Sequence, residues 1–105
     1  MAKLRQCAQR LLRARADVQE VRLFGSLARG EAHPGSDADL LILLTDSALP
    51  PLERTSPLMR YFSGVGLACD IFAYTQSELE RLATAGSRFA RVVMGEGVIL
   101  AQRES

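Results

Sequence analysis

The stretch from Leu23 to Leu44, LFGSLARGEAHPGSDADLLILL, constrains this chain more than any other. A short β-prone run leads into Gly25-Ser26, and an unbroken apolar run follows Asp39. The segment therefore predicts a strand, a tight turn with a short helix over Ser26 to Arg29, a loop, and a second strand starting near Asp37. Successive side chains on a strand point to opposite faces. Asp37 and Asp39 therefore share a face, roughly 6.5–7 Å apart along the chain, while Ala38 and Leu40 point the other way. Two carboxylates projecting from a buried strand suit a hard divalent cation such as magnesium, which takes carboxylate oxygens and completes its shell with water and substrate phosphates. Gly25 lets backbone approach a ligand closely, and Ser26 at the start of a helical turn offers a hydroxyl and free N–H groups to an anion. A phosphate cradle and a metal site are expected to face each other.

Composition bounds what can surround this stretch. The chain of 105 residues supports one domain, 1–105, with no room for a second. Apolar residues at 48% and charged residues at 24% fit a globular chain rather than a disordered or fibrous one. The longest apolar run, Leu40 to Leu44, is too short to cross a bilayer, and Met1 to Arg15 is too rich in Lys and Arg for a signal peptide. No membrane association is expected, and a cytoplasmic location follows by default. Cys7 and Cys69 match no metal or redox spacing and read as buried thiols. A net charge of +1 gives no general reason to expect direct nucleic-acid binding, although the first helix is locally basic. His33 is the only histidine, which excludes chemistry that needs a histidine pair.

The rest of the chain predicts helices and strands that could frame the motif. Leu4, Cys7 or Ala8, Leu11 and Leu12 follow the spacing of an amphipathic helix over Met1 to Ala16, and Val18 to Phe24 reads as the first strand. Gly30, Pro34 and Gly35 mark a reversing loop that contains His33. The prolines at 50, 51 and 57 limit helix in the next crossover to Leu58 to Phe62, with an earlier turn at Leu52 to Thr55. Gly66 to Tyr74 reads as a third strand with Asp70 and Phe72 on one face and Cys69 and Ile71 on the other. An acid inside an apolar strand is costly unless paired or metal-bound, so Asp70 is either a salt-bridged structural residue or a ligand. Arg29 is either a surface cation or a phosphate contact. Thr75 and Glu78 fit a capping box opening one helix that ends at Gly95 and is interrupted at Gly86, and Val98 to Ala101 reads as a final edge strand.

Gly25-Ser26, ten intervening residues, then Asp37-Ala38-Asp39 resemble the minimal nucleotidyltransferases (MNT domains) of the DNA polymerase β-like superfamily. The words GSLARG and SDADLLILL, the later acid in ACDIFAY, and the closing GEGVILA extend the resemblance over nearly the whole chain. A bare Gly-Ser or DxD would be a weak signal; the ordered combination is a specific one. The resemblance implies an α+β nucleotidyltransferase fold, a small mixed sheet flanked by helices. It also implies a Mg2+-dependent enzyme, with two ions held by Asp37, Asp39 and Asp70, the last also able to help deprotonate the attacking hydroxyl. Gly25, Ser26, Arg29 and Ser36 correspond to nucleotide-binding positions for ATP. Larger members carry a second domain that binds the acceptor. Minimal ones commonly occur with a HEPN-domain ribonuclease toxin as its antitoxin, and some transfer AMP to a tyrosine of that partner. The alternatives are a non-catalytic antitoxin that masks its partner, and a transferase acting on a small molecule such as an aminoglycoside. The acceptor, the nucleotide preference and homo-oligomer formation stay open.

Overall fold

The computed structural model describes residues 2–31 and 37–103; the expected loop with His33, and Ser36, lie outside them. The N-terminal pattern forms α1 (Ala2–Ala14), and Leu4, Cys7, Ala8, Leu11 and Leu12 are buried as the three-and-four spacing requires. Arg15 pairs with Asp17 at 2.6 Å as the chain turns into β1 (Val18–Phe24). Arg103, from the far end of the chain, donates to the carbonyls of Leu12 (2.6 Å) and Arg15 (3.0 Å), which α1 cannot satisfy itself.

β2 (Ala38–Leu44) returns antiparallel to β1. β3 (Cys69–Thr75) lies parallel to β2, and β4 (Val98–Gln102) pairs antiparallel with the free side of β1. The sheet is four-stranded, mixed and ordered β3-β2-β1-β4, flanked by helices, as expected. Alternation divides the apolar residues between its faces. Val21, Leu23, Leu40, Ile42 and Ile71 join the core under α1 and the crossover. Phe24 and Leu41 meet Leu79 and Val93 on the opposite face, with Phe72 and Phe89 packed against them. Among the described residues no helix is long and apolar enough to cross a membrane.

Two expectations are corrected. The crossover holds one helix, α2 (Pro51–Met59), that runs through Pro57 and ends in a 3-10 turn, Arg60–Phe62, instead of a turn and a later separate helix. Pro57 removes only the bond to the carbonyl of Glu53, an exposed residue that water can serve, while Leu58 and Arg54 gain burial. The expected single C-terminal helix is two, α3 (Gln76–Thr84) and α4 (Arg88–Glu96). Gly86, with φ 85°, and Ser87 donate to the carbonyls of Ala83 (3.1 Å) and Leu82 (2.9 Å), which closes α3 in a Schellman arrangement. The Ser87 hydroxyl then accepts from the amide of Ala90 and opens α4. Gly-Ser here is a stop followed by a start, not a bend.

Arg54 ties the crossover to the sheet. Its side chain is 4% exposed, and it donates to the carbonyls of Leu49 (2.8 Å) and Ala73 (3.1 Å) and to both oxygens of Glu78 (2.7 and 3.0 Å). Glu78 also accepts from the Thr75 amide at 2.8 Å while Thr75 Oγ1 accepts from the Glu78 amide, the expected capping box. The Arg54 guanidinium holds the Glu78 carboxyl down from its ordinary 4.5 to about 2. A depressed carboxyl stabilises the fold above the unfolded value and loses that contribution as pH falls toward the folded one. We expect Arg54→Ala to cost about 2–4 kcal/mol, because it leaves a largely buried carboxylate unpaired. In urea titrations the gap between the wild type and Glu78→Gln should be widest near neutral pH and close between the ordinary carboxyl range and about 2.

Candidate active site

The acids gather at one end of the sheet. Asp37 immediately precedes β2, Asp39 is its second residue, and Asp70 is the second residue of β3. The parallel ladder sets Asp39 directly opposite Asp70, after the Ala38 amide bonds the Ala68 carbonyl at 2.9 Å. Opposed residues of a parallel pair share a face at about 4.8 Å strand spacing, so the carboxylates of Asp39 and Asp70 project side by side. The antiparallel partner of Asp39 is Phe24. Phe24 heads an aromatic group with Phe72 and Phe89, ring centroids 5.3–5.7 Å apart. Asp39 therefore stands between an apolar floor and two other acids. Burial first, then Asp70 and Asp37, push its carboxyl upward, and Arg29 offsets part of this.

The turn after β1 is built around Asp39. Gly25 has φ 80°, and a Cβ there would overlap Asp39 Oδ2 and lie 3.3 Å from its Cγ. No side chain is compatible with both that backbone conformation and that carboxylate. The expected helix over Ser26 to Arg29 is instead a hydrogen-bonded turn, in which the amides of Arg29, Gly30 and Glu31 donate to the carbonyls of Gly25 (3.2 Å), Leu27 (3.2 Å) and Ser26 (2.9 Å). Among the described residues the amides of Ser26, Leu27 and Ala28 have no backbone acceptor. The anion-binding potential thus rests on turn amides rather than on a helix dipole.

Arg29 is exposed and engaged. Nε donates to Glu31 Oε2 (2.9 Å) and Nη1 to Glu96 Oε1 (2.8 Å), and these carboxylates push the guanidinium's affinity for its proton upward. Glu31 and Glu96 went unassigned in the sequence; Glu96 lies inside the GEGVILA word, but nothing in its spacing announces an ion pair 67 residues away. Nη2 has no part in either bond, and among the described residues it makes no other.

The three acids make an oxygen-only donor set. Among the described residues none of the ion pairs involves Asp37, Asp39 or Asp70, so their mutual repulsion has no bonded organic counter-charge. Among the described residues no group of three or more Asp, Glu, His or Cys side chains is placed to hold a metal ion by itself, so substrate oxygens and water would have to supply the rest of a shell. An open, oxygen-only set is what magnesium uses when substrate oxygens and water complete its shell. Ser36 lies outside the described residues and adds nothing to this geometry.

Gly25→Ala should destabilise the chain by about 1–3 kcal/mol from backbone strain and overlap. In an Asp39→Ala background the penalty should shrink by about 1 kcal/mol, a coupling that a double-mutant cycle in urea reads directly. A raised carboxyl pKa means that ionisation works against folding, so stability falls as pH climbs through the ordinary carboxyl range toward the folded value. Asp39→Asn should therefore raise the melting temperature at neutral pH in the presence of EDTA, and should gain nothing well below the carboxyl range.

Comparison with known proteins bears on the family and the fold. The family model for the nucleotidyltransferase domain matches residues 1–99. Among solved structures, a Sulfolobus solfataricus protein assigned as a nucleotidyltransferase superposes with a TM-score of 0.70 at 21% identity, over 99% of this chain and 81% of its own. A toxin-antitoxin with AMP-PNP gives 0.69 at 24% identity, and a doubly substituted MntA-HpeT toxin-antitoxin 0.66 at 21%, each over 95% of this chain and 74% of its own. A CCA-adding enzyme of Pyrobaculum neutrophilum is 41% identical over 49 residues, which are 46% of this chain and only 12% of that enzyme. With a shared four-stranded mixed sheet and a match over almost its entire length, this chain belongs to the nucleotidyltransferase domain family.

Proposed function

We propose that the chain is a magnesium-dependent transferase that moves AMP from ATP onto a hydroxyl acceptor, a tyrosine of a HEPN-domain toxin, and so acts as an antitoxin. The observation that carries the reading is the alignment of Asp39 with Asp70 across the β2–β3 ladder, beside a turn whose glycine is required by Asp39. Membership of a family that uses divalent metal ions supports the reaction class. The likeness to a toxin-antitoxin with AMP-PNP is the reason for choosing an adenine nucleotide and a toxin partner.

Asp37, Asp39 and Asp70 would hold the magnesium, two ions in all, which when bound polarises the α-phosphate and stabilises the attacking and leaving oxygens of an in-line displacement. The remaining work falls to the chain. The Ser26 hydroxyl and the amides of Ser26, Leu27 and Ala28 take phosphate oxygens, and Gly25 keeps the backbone near them. Arg29 offers the N–H groups of Nη2 to the triphosphate while Glu31 and Glu96 hold its other nitrogens. Ser36 completes the nucleotide-binding set. A carboxylate oxygen of Asp70 accepts the acceptor's hydroxyl proton as the acceptor's hydroxyl oxygen bonds to the α-phosphorus. The bond from the α-phosphorus to the bridging oxygen breaks, and pyrophosphate leaves with the electron pair.

Incubation with Mg2+, ATP and the cognate HEPN protein should add the mass of one or more AMP groups to that protein. Asp37→Asn and Asp39→Asn should each lower the rate on the order of 100-fold or more, because each removes a charge used in the transition state. No modification by the wild type, or undiminished modification by these variants, would overturn the reading. Variants that still bind and neutralise the toxin would favour masking over transfer.

A further inference from the structure

On the opposite face of the sheet, Lys3, Arg10 and Arg13 of α1 border a cavity of about 420 Å3, which Ser63, Gly64 and Val65 close from the other side. Five of the chain's 13 Lys and Arg residues, and none of its 12 Asp and Glu residues, fall within residues 1–15. Charge is therefore segregated in a chain whose net charge is only +1. Three of those five are engaged within the chain: Arg15 pairs with Asp17, Arg5 donates to the Ile99 carbonyl at 3.2 Å, and Arg10 donates through Nη2 to Cys7 Sγ at 3.8 Å, a weak bond to a neutral acceptor that leaves its charge unpaired among the described residues. Lys3, Arg10 and Arg13 form no ion pair among the described residues. Helical rise spaces Lys3 and Arg10 about 10 Å apart along α1 and Arg10 and Arg13 about 4.5 Å apart. Beneath this cationic rim the floor is apolar, made by Cys7 and Val65.

We propose that this groove docks an acidic amphipathic segment of a protein partner, whose carboxylates pair with Lys3, Arg10 and Arg13 while its apolar side chains settle toward Cys7 and Val65. Arginine forks match carboxylates with two parallel bonds, and a half-apolar groove rewards a segment that is acidic along one side and apolar along the other. A nucleic acid fits less well. Among the described residues no aromatic side chain lines the groove to stack a base, and a sequence pI of 7.8 is below that of typical nucleic-acid-binding domains. The proposal requires no catalysis and stands apart from the transferase reading.

The test uses the full chain, a fluorescein-labelled 18-residue helical peptide with glutamates along one face and leucines along the other, and labelled poly(U) of the same length, in buffer of about 50 mM salt, where charge is weakly screened. The peptide should bind the wild type. It should bind Lys3→Glu/Arg10→Glu/Arg13→Glu at least about tenfold more weakly, with the triple Gln variant in between and Asp37→Asn unchanged. Circular dichroism on each variant separates lost binding from lost fold; if the charge-reversed chain fails to fold, the Gln variant, which keeps the side-chain stems, carries the comparison. Absence of peptide binding, equal binding by all variants, or tighter binding of poly(U) than of the peptide would overturn the proposal.

Discussion

Parallel strands cannot be joined by a tight turn, so the pairing of β2 with β3 obliges residues 45–68 to cross one face of the sheet before the chain can re-enter it. Much of the structure follows from that obligation. The crossover brings α2 over the core, and with it Arg54, whose guanidinium links the Leu49 carbonyl, the Ala73 carbonyl and Glu78. The same pairing gives residues opposite one another a common face, which is why acids on two strands 31 residues apart in sequence stand together. An antiparallel pairing in another register would have kept the apolar core and lost the acidic pair.

Holding charge above an aromatic floor is unfavourable, and the chain confines the cost to the strand ends. Asp37 and Asp70 are exposed, and Asp39 is half-buried. Two residues further along β2, Leu41 is buried among Phe24, Leu79 and Val93. The sheet thus carries its three acids at the head of one face, whose body is apolar around Leu41 and Leu79 apart from the Glu20–Arg22 ion pair on β1. Unfavourable electrostatics at the head are offset by packing that involves none of the acids, so the acidic set can be tuned without dismantling the core.

The parts of the fold legible in the sequence were those governed by local period. β1 begins and ends where alternation placed it, the stripe of α1 is buried residue for residue, and the capping box at Thr75 and Glu78 is formed. The strand that carries Asp39 was legible from its period, but the alignment of Asp39 with Asp70 depends on a long-range register that no window of sequence contains. Pro57 was read as a barrier because propensity is local, whereas the burial of Arg54 and Leu58 that sustains α2 is tertiary. The break between α3 and α4 was present in the sequence as Gly86-Ser87, a stop residue followed by a cap, but the apolar stripe that continues across it concealed the change of axis. At the site, Gly25 was legible as a glycine that admits close approach, but the overlap that a Cβ there would make with the Asp39 carboxylate joins residues no local pattern links.

Arg103 shows how order of synthesis and order of completion can differ. α1 is the first helix to be made, yet the Leu12 carbonyl near its C-terminal end meets its donor only when Arg103, near the end of the described chain, has folded back beside β1; the Arg15 carbonyl, already bonded by the Val18 amide, gains a second donor there. Until then α1 can pack its apolar stripe but leaves the Leu12 carbonyl to water. The two extremities of the described chain are thereby fastened at one point, and β4, an edge strand with a single neighbour, is anchored beyond its last ladder bond by the side chain that closes α1.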